Sequence, residues 1–306
     1  MNNLPFNFSS DVVSHLNRSH FCQLSLLQGL WSQVSRIHFD KRLSLSIAIC
    51  PNEDSNEWSY VISNKFGFNG DELTYEELKQ IDYRYVKFEI LECSTVSSDN
   101  PQRVSEHHLF KTLLPFVISH FSQEVSVGFS LLPRDDVERE AMELVATKLM
   151  KTRNFESVDF RYNSLVFMEF LRHHVNHGNL KHVGLGRLWK YSGELEHCLK
   201  EFIESSNFQS LTIALDGSLY VNSLFSTFFK QWRQWATQND GIERRLSGPT
   251  QEKAINYSGH CEELLIIQVG NEYEWKEGNS HLECNSSHYC LRVKSWFQCV
   301  DCKRAI

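Results

Sequence analysis

The stretch "FESVDFRY" at residues 155–162 decides the fold. Its apolar residues Phe155, Val158 and Phe160 are separated by two positions and then by one. "LKHVGLGRL" (180–188) repeats the arrangement with Leu180, Val183 and Leu185, and "FQSLTIAL" (208–215) with Phe208, Leu211 and Ile213. Each run has the length and alternation of a strand with one buried face.

The runs recur after 25 and 28 residues. That is the period of leucine-rich repeats, whose unit is a strand plus a helix. Two earlier runs, "YVKFEI" (85–90) and "EVSVGFSL" (124–131), fit the strand–helix alternation at a longer interval. Helical stripes lie between them. Leu109, Leu113, Phe116, Val117 and Phe121 form one. Val137, Ala141, Leu144, Val145 and Leu149 form another, behind Pro133 and an acidic first turn. Leu195, Cys198, Leu199, Phe202 and Ile203 form a third. Leu224, Phe228, Trp232 and Trp235 form a fourth, with Asp216 as its N-cap and the two Trp as candidate interface residues.

Toward the C-terminus the helical period ends at "NDGIERRLSGP" (239–249). "ELLIIQV", "YEWKEGNSHLEC" and "YCLRVKSWFQCV" read as strands that close the open end of the array. Toward the N-terminus, "LSLSIAI" (43–49) and "WSYVIS" (58–63) flank the turn-rich "PNEDSNE" and predict a β-hairpin. Residues 4 to about 40 predict two or three short helices. Pro5 suits a first turn, with Val12, Val13 and Leu16 at helical spacing behind it. Leu24, Leu27, Trp31 and Val34 fall on one stripe.

The expected fold is therefore α+β or α/β, in four segments. Residues 1–42 form a helical module and 43–70 a β-hairpin. Residues 71–240 form an irregular leucine-rich-repeat-like strand–helix solenoid, and 241–306 a β-rich C-terminal cap.

The 306 residues are 41% hydrophobic and 23% charged, enough for a substantial core without metal or disulfides. A net charge of −7 argues against a nucleic-acid partner, which needs a basic field. The first residues carry no Lys or Arg, and Asp11 interrupts the apolar segment, so no signal peptide is expected. No apolar run reaches the length of a membrane span, so no membrane partner is expected either. The expected compartment is cytoplasmic or nuclear, and the nine scattered Cys are expected as reduced thiols.

Three constellations hold residue types that could carry chemistry. "CVDC" (299–302), with Cys284, His288 and Cys290 upstream, lacks zinc-knuckle spacing and reads as thiols in a β layer. In "HHVNH", His173 and His177 stand at i, i+4, but no Glu follows the first His as in a zincin; a polar helix end is the preferred reading. "GLG" (184–186) lacks the third glycine of a dinucleotide fingerprint. There is no nucleophile elbow, P-loop or kinase motif set. No catalytic residue, metal or cofactor is expected.

The opening "LPFNFSSDVVSHL" (4–16), followed by "FCQLSLLQGLWSQV", resembles an F-box. Leu4, Pro5, Val12, Leu16, Leu24, Leu27 and Trp31 sit at that family's apolar positions. With the stretch His38, Phe39 and Arg42 and the strand–helix repeats, the chain is similar to the expanded nematode F-box-type proteins. The resemblance implies that those seven residues dock on the adaptor of a cullin–RING (SCF) ubiquitin ligase. It also implies that the remainder recruits a protein substrate.

Alternation along the strands assigns the partner-facing positions. These are Lys87 and Glu89, Ser126 and Gly128, Asp159 and Arg161, Gly184 and Gly186, and Thr212 and Ala214, whose small members would leave room for a ligand. Two other readings stay open. One is a repeat scaffold with no ligase connection, its N-terminus a cap. The other is an enzyme with a metal at the C-terminal Cys/His group.

Overall fold

The computed structural model describes residues 5–52, 57–65, 72–96, 98, 100–131, 133, 135–152, 155–177, 179–190, 192–214, 221–238, 243–247, 265–269, 272–277, 280–285 and 290–295. The chain forms two compact units, Met1–Val158 and Asp159–Ile306, with the boundary inside a strand. Both are mixed α/β structures with mostly parallel central strands.

The first unit opens with three helices: α1 (Phe6–Ser14), α2 (Arg18–Ser25) and α3 (Leu30–Lys41). α1 and α2 both pack on α3 around Val13, Phe21 and Val34. Gly29 separates α2 from α3 with φ +80, a conformation open to glycine because it has no Cβ. The expected single stripe through Leu24, Leu27, Trp31 and Val34 is thus broken. Leu27 falls in the connection and is exposed.

β1 (Leu43–Pro51) and β2 (Glu57–Asn64) form an antiparallel hairpin with Pro51 opposite Trp58. The hairpin is not a separate segment. On its other side β1 pairs in parallel with β4 (Val86–Cys93), and β4 pairs in parallel with β6 (Phe121–Phe129). β3 (Glu72–Leu73) and β5 (Gln102–Ser105) each pair with part of β2. Glu89 is an extra residue in β4, since Phe88 and Ile90 stand opposite the consecutive Leu45 and Ser46.

Between these strands, α4 (Tyr75–Lys79) starts from a capping box of Thr74 and Glu77. The helical stretch from Glu106 to Ser119 divides into α5 (Glu106–His108), a π turn (Leu109–Leu113) and α6 (Leu114–Ser119). Pro115 accounts for the irregularity, because it has no N–H to donate one turn back. α7 (Asp136–Leu149) is capped by Asp135, whose Oδ1 accepts from the Glu138 N–H at 2.9 Å. Its buried face is Glu138, Met142, Val145, Ala146 and Leu149, one position away from the expected stripe, and Val137 is exposed.

The boundary strand is β7 (Phe155–Tyr162). The second unit continues with α8 (Leu165–Asn176), β8 (His182–Leu188), α9 (Gly193–Glu204), β9 (Ser210–Ile213), α10 (Val221–Gln238) and β10 (Arg244–Ser247). β8, β9 and β10 are parallel neighbours, with Val183 beside Leu211 and Leu185 beside Ile213. Those four residues are buried, as are Leu195, Cys198, Leu199, Phe202 and Ile203 of α9. Ser164 and Ser192 cap α8 and α9 through bonds to the N–H groups of Phe167 and Leu195. Trp232 and Trp235 of α10 are core residues, not an interface; Trp235 stacks on Phe208 at 5.6 Å. Asp216 lies outside the described residues.

β11 (Leu265–Val269), β12 (Glu272–Glu277), β13 (Ser280–Asn285) and β14 (Cys290–Ser295) form an antiparallel meander whose last strand pairs with β10. Cys284 and Cys290 stand in β13 and β14, while Cys299 and Cys302 lie outside the described residues.

Candidate functional site

α1 is amphipathic in the unexpected sense. It buries Ser9, Ser10 and Ser14 beside Val13, and exposes Phe6, Phe8 and Val12. Phe8, 51% exposed, and Val12 are i, i+4 neighbours on one face. The buried serines are small and polar, so α1 is held by hydrogen bonds as much as by apolar area. Ser10 Oγ lies 2.9 Å from His38 Nε2. The Arg42 guanidinium, 7% exposed, donates to the Val13, Ser14 and Leu16 carbonyls where α1 ends. The Ser14 carbonyl is one that a helix C-terminus leaves unpaired, and the cation complements the helix dipole. The guanidinium also sits over the Phe21 ring at 4.6 Å. Burial pushes the His38 imidazole down to about 4, with the Arg42 charge acting in the same direction. It is therefore neutral at pH 7.

The seven residues carried over from the F-box resemblance have divided roles. Leu16, Leu24 and Trp31 pack on the module's own core. Pro5, Val12 and Leu27 are exposed, and Leu4 lies outside the described residues. Sequence reading missed Phe6, Phe8, Leu26 and Phe39. Among the described residues, six of the ten exposed large apolar side chains are Phe6, Phe8, Val12, Leu26, Leu27 and Phe39, all in this module; Leu26 is 84% exposed. The signal available in the sequence was the run Ser9-Ser10 beside two Phe, which fits no ordinary core face.

The sheet-face residues of the first unit come together at a polar cavity of about 310 Å3. Its lining includes Lys87, Glu89 and Ser126, with Asn17, Arg18, Arg42, Lys65, Ile90, Ser122, Glu124 and Glu156. Lys87 is not on an exposed face; it is 9% exposed, because Arg42 and the α1–α2 connection close over that end of the sheet. Burial and the Arg42 charge lower the Lys87 ammonium to about 8. Gly128 lies on the same strand as Ser126, and a Cβ there would touch Glu92.

In the second unit, Asp159, Arg161, Thr212 and Ala214 are exposed, and Gly184 and Gly186 are half-buried. The glycines do not leave room for a ligand. A Cβ on Gly184 would collide with the Asp159 carboxylate, and one on Gly186 would stand 2.7 Å from the Arg161 backbone. They are small because the neighbouring strand occupies that space. The neighbouring strand at Gly184 partly desolvates the Asp159 carboxyl and raises it, against the pull of Arg161.

His173 and His177 pack ring against ring at 4.1 Å, and His177 Nδ1 lies 2.6 Å from the His173 carbonyl. His174 is buried, and burial pushes it down to about 3. Among the described residues no three His, Cys, Asp or Glu side chains are grouped to hold a metal. No described helix is long and apolar enough to cross a membrane. No family model matches this chain, and neither a curated protein nor a solved structure is significantly similar to it.

Proposed function

We propose that this chain is a non-enzymatic interaction protein of the F-box type, a substrate receptor for a cullin–RING ubiquitin ligase working in the cytoplasm or nucleus. The observation that carries the reading is the concentration of exposed apolar side chains on α1–α3. A patch of this kind on a folded module marks a binding surface, and an amphipathic helix laid into a partner's groove is a common way to cover it. Phe6, Phe8, Val12, Leu26 and Leu27 would be the contacts, and the buried Arg42 and His38 would hold α1 in position.

The remainder is proposed as a leucine-rich-repeat-like solenoid that presents the substrate. The parallel register of β8, β9 and β10, with equivalent apolar residues side by side, supports this. Asp159, Arg161 and Thr212 would face the substrate.

The test is binding of the full chain to the purified ligase adaptor, beside a Phe8→Glu, Val12→Glu variant. Both positions are exposed, so the variant should keep its circular dichroism. Binding by the wild type that the variant loses is the expected result. A folded wild type that does not bind would leave the chain a repeat scaffold with no ligase connection.

A further inference from the structure

The cavity beside Lys87 is unlike an ordinary surface cleft, and it is independent of the ligase reading. Lys87 projects from β4, is nine-tenths buried, and has no hydrogen-bond or ion-pair partner among the described residues. The nearest carboxylate along its strand, Glu89, is engaged at 3.6 Å by Lys65. Arg42 adds a second buried cation, and its terminal nitrogens are taken up by carbonyls. A buried charge without a counter-charge is costly, and a bound anion relieves that cost.

We propose that this cavity is a binding site for a phosphate group, free or carried on a small ester, with Lys87 as its principal ligand. A tetrahedral oxyanion offers acceptors in several directions, and donors here come from separate elements. The Lys87 ammonium lies on β4, the Ser126 hydroxyl on β6, and the Asn17 amide just before α2. Asn17 makes no side-chain capping bond, so its amide is not committed to the helix. The carboxylates of Glu124 and Glu156 also line the cavity. Both already have partners of their own, and they would repel a polyanion. A volume of about 310 Å3 lies at the small end of ligand pockets and fits a small metabolite.

The excess of positive charge also marks its neighbours. Burial lowers Lys87, His38 and His120. Lys87 is lowered further by Arg42, and each histidine is lowered further by Lys87. An anion beside Lys87 reverses that direction.

The experiment is calorimetric titration of the full chain at pH 7 with sodium phosphate and with glycerol 3-phosphate, against sodium chloride of equal ionic strength. Saturable binding of one equivalent is expected, and the tighter of the two ligands names the source. Lys87→Met should weaken it at least about tenfold, while Lys87→Arg keeps most of it. A second measurement needs no variant: the titration midpoint of Lys87, followed by NMR of 15N-labelled lysine, should rise with saturating ligand. Heat no greater than that of chloride, unchanged affinity in Lys87→Met, or a Lys87 midpoint that ligand does not move would overturn the proposal.

Discussion

Replacing Arg42 by Met keeps the apolar stem and removes the guanidinium. The Ser14 and Leu16 carbonyls lose the side-chain donor that satisfies them, whereas Val13 still accepts from the Leu16 N–H. Two buried acceptors left unpaired cost about 1–3 kcal/mol each. The cation over Phe21 adds about 1 kcal/mol. Relief from burying the guanidinium itself offsets part of this, and burial already lowers that group to about 10. The net expectation is a loss of about 3 kcal/mol. For a unit of this size that is a fall in melting temperature of about 6–12 °C. Thermal and urea unfolding of the full chain should be followed by circular dichroism and by tryptophan emission, because Trp31 packs against the affected core. Arg42→Lys should recover only part of the loss, since a single ammonium cannot span the same carbonyls. A change below about 1 kcal/mol in Arg42→Met would show that α1 is held by apolar packing alone, and the argument for its hydrogen-bonded attachment would fail.

Further predictions concern acid, glycine and a cap. His38 and His174 are held near 4 and 3, while their unfolded forms titrate near 6.5. Between those values only the unfolded chain takes up the protons. Stability is therefore full above pH 6.5 and falls as pH drops toward 4, by on the order of 3 kcal/mol per histidine. The urea midpoint of His174→Leu should decline less between pH 7 and 5 than that of the wild type; equal slopes would refute the assignment. Gly186→Ala places a Cβ against backbone and should destabilise by about 1–3 kcal/mol. Gly184→Ala meets only a side chain, so Asp159→Ala should rescue it, and calorimetric melting of the double variant tests this. Thr74→Ala removes the capping box and should cost about 1 kcal/mol in urea unfolding.

What could be read in the sequence was whatever local periodicity controls. The stripes of α9 and α10 and the alternation of β7, β8 and β9 repeat a pattern the chain needs in order to bury one face, and the structure follows them residue by residue. The exceptions arise where a non-local contact outranks local pattern. Glu138 occupies a buried position, so the buried face of α7 is turned by one position from the apolar stripe, sharing Val145 and Leu149 with it. β1 joins β4 through a partner 43 residues further on (Leu43 beside Val86), which no hairpin signal announces. The extra residue Glu89 in β4 and the closure over Lys87 are likewise invisible to alternation. Gly29 was legible as a helix break, but the apolar residues on both sides of it carried a helical spacing across the gap.

α1 shows why the candidate site was only half legible. Read as an ordinary surface helix, it should turn Phe8 and Val12 inward and its serines out. That orientation would gain apolar burial of about 1.5–3 kcal/mol for each large side chain. It would also give up the Ser10–His38 bond, and it would set bulky side chains where Ser10 now meets the buried His38. The observed orientation is favoured when something else covers Phe8 and Val12. The same serines that let α1 sit against α3 thus leave its apolar face exposed, the face the proposed function gives to a partner, and Arg42 holds that orientation from the far end of α3. On the proposed function, His38 and Arg42 are positioning residues for a docking surface they do not touch. Apolar spacing in the sequence does not point to them, since both are polar, whereas it does point to Leu16, Leu24 and Trp31, which are partly buried against the module's own core.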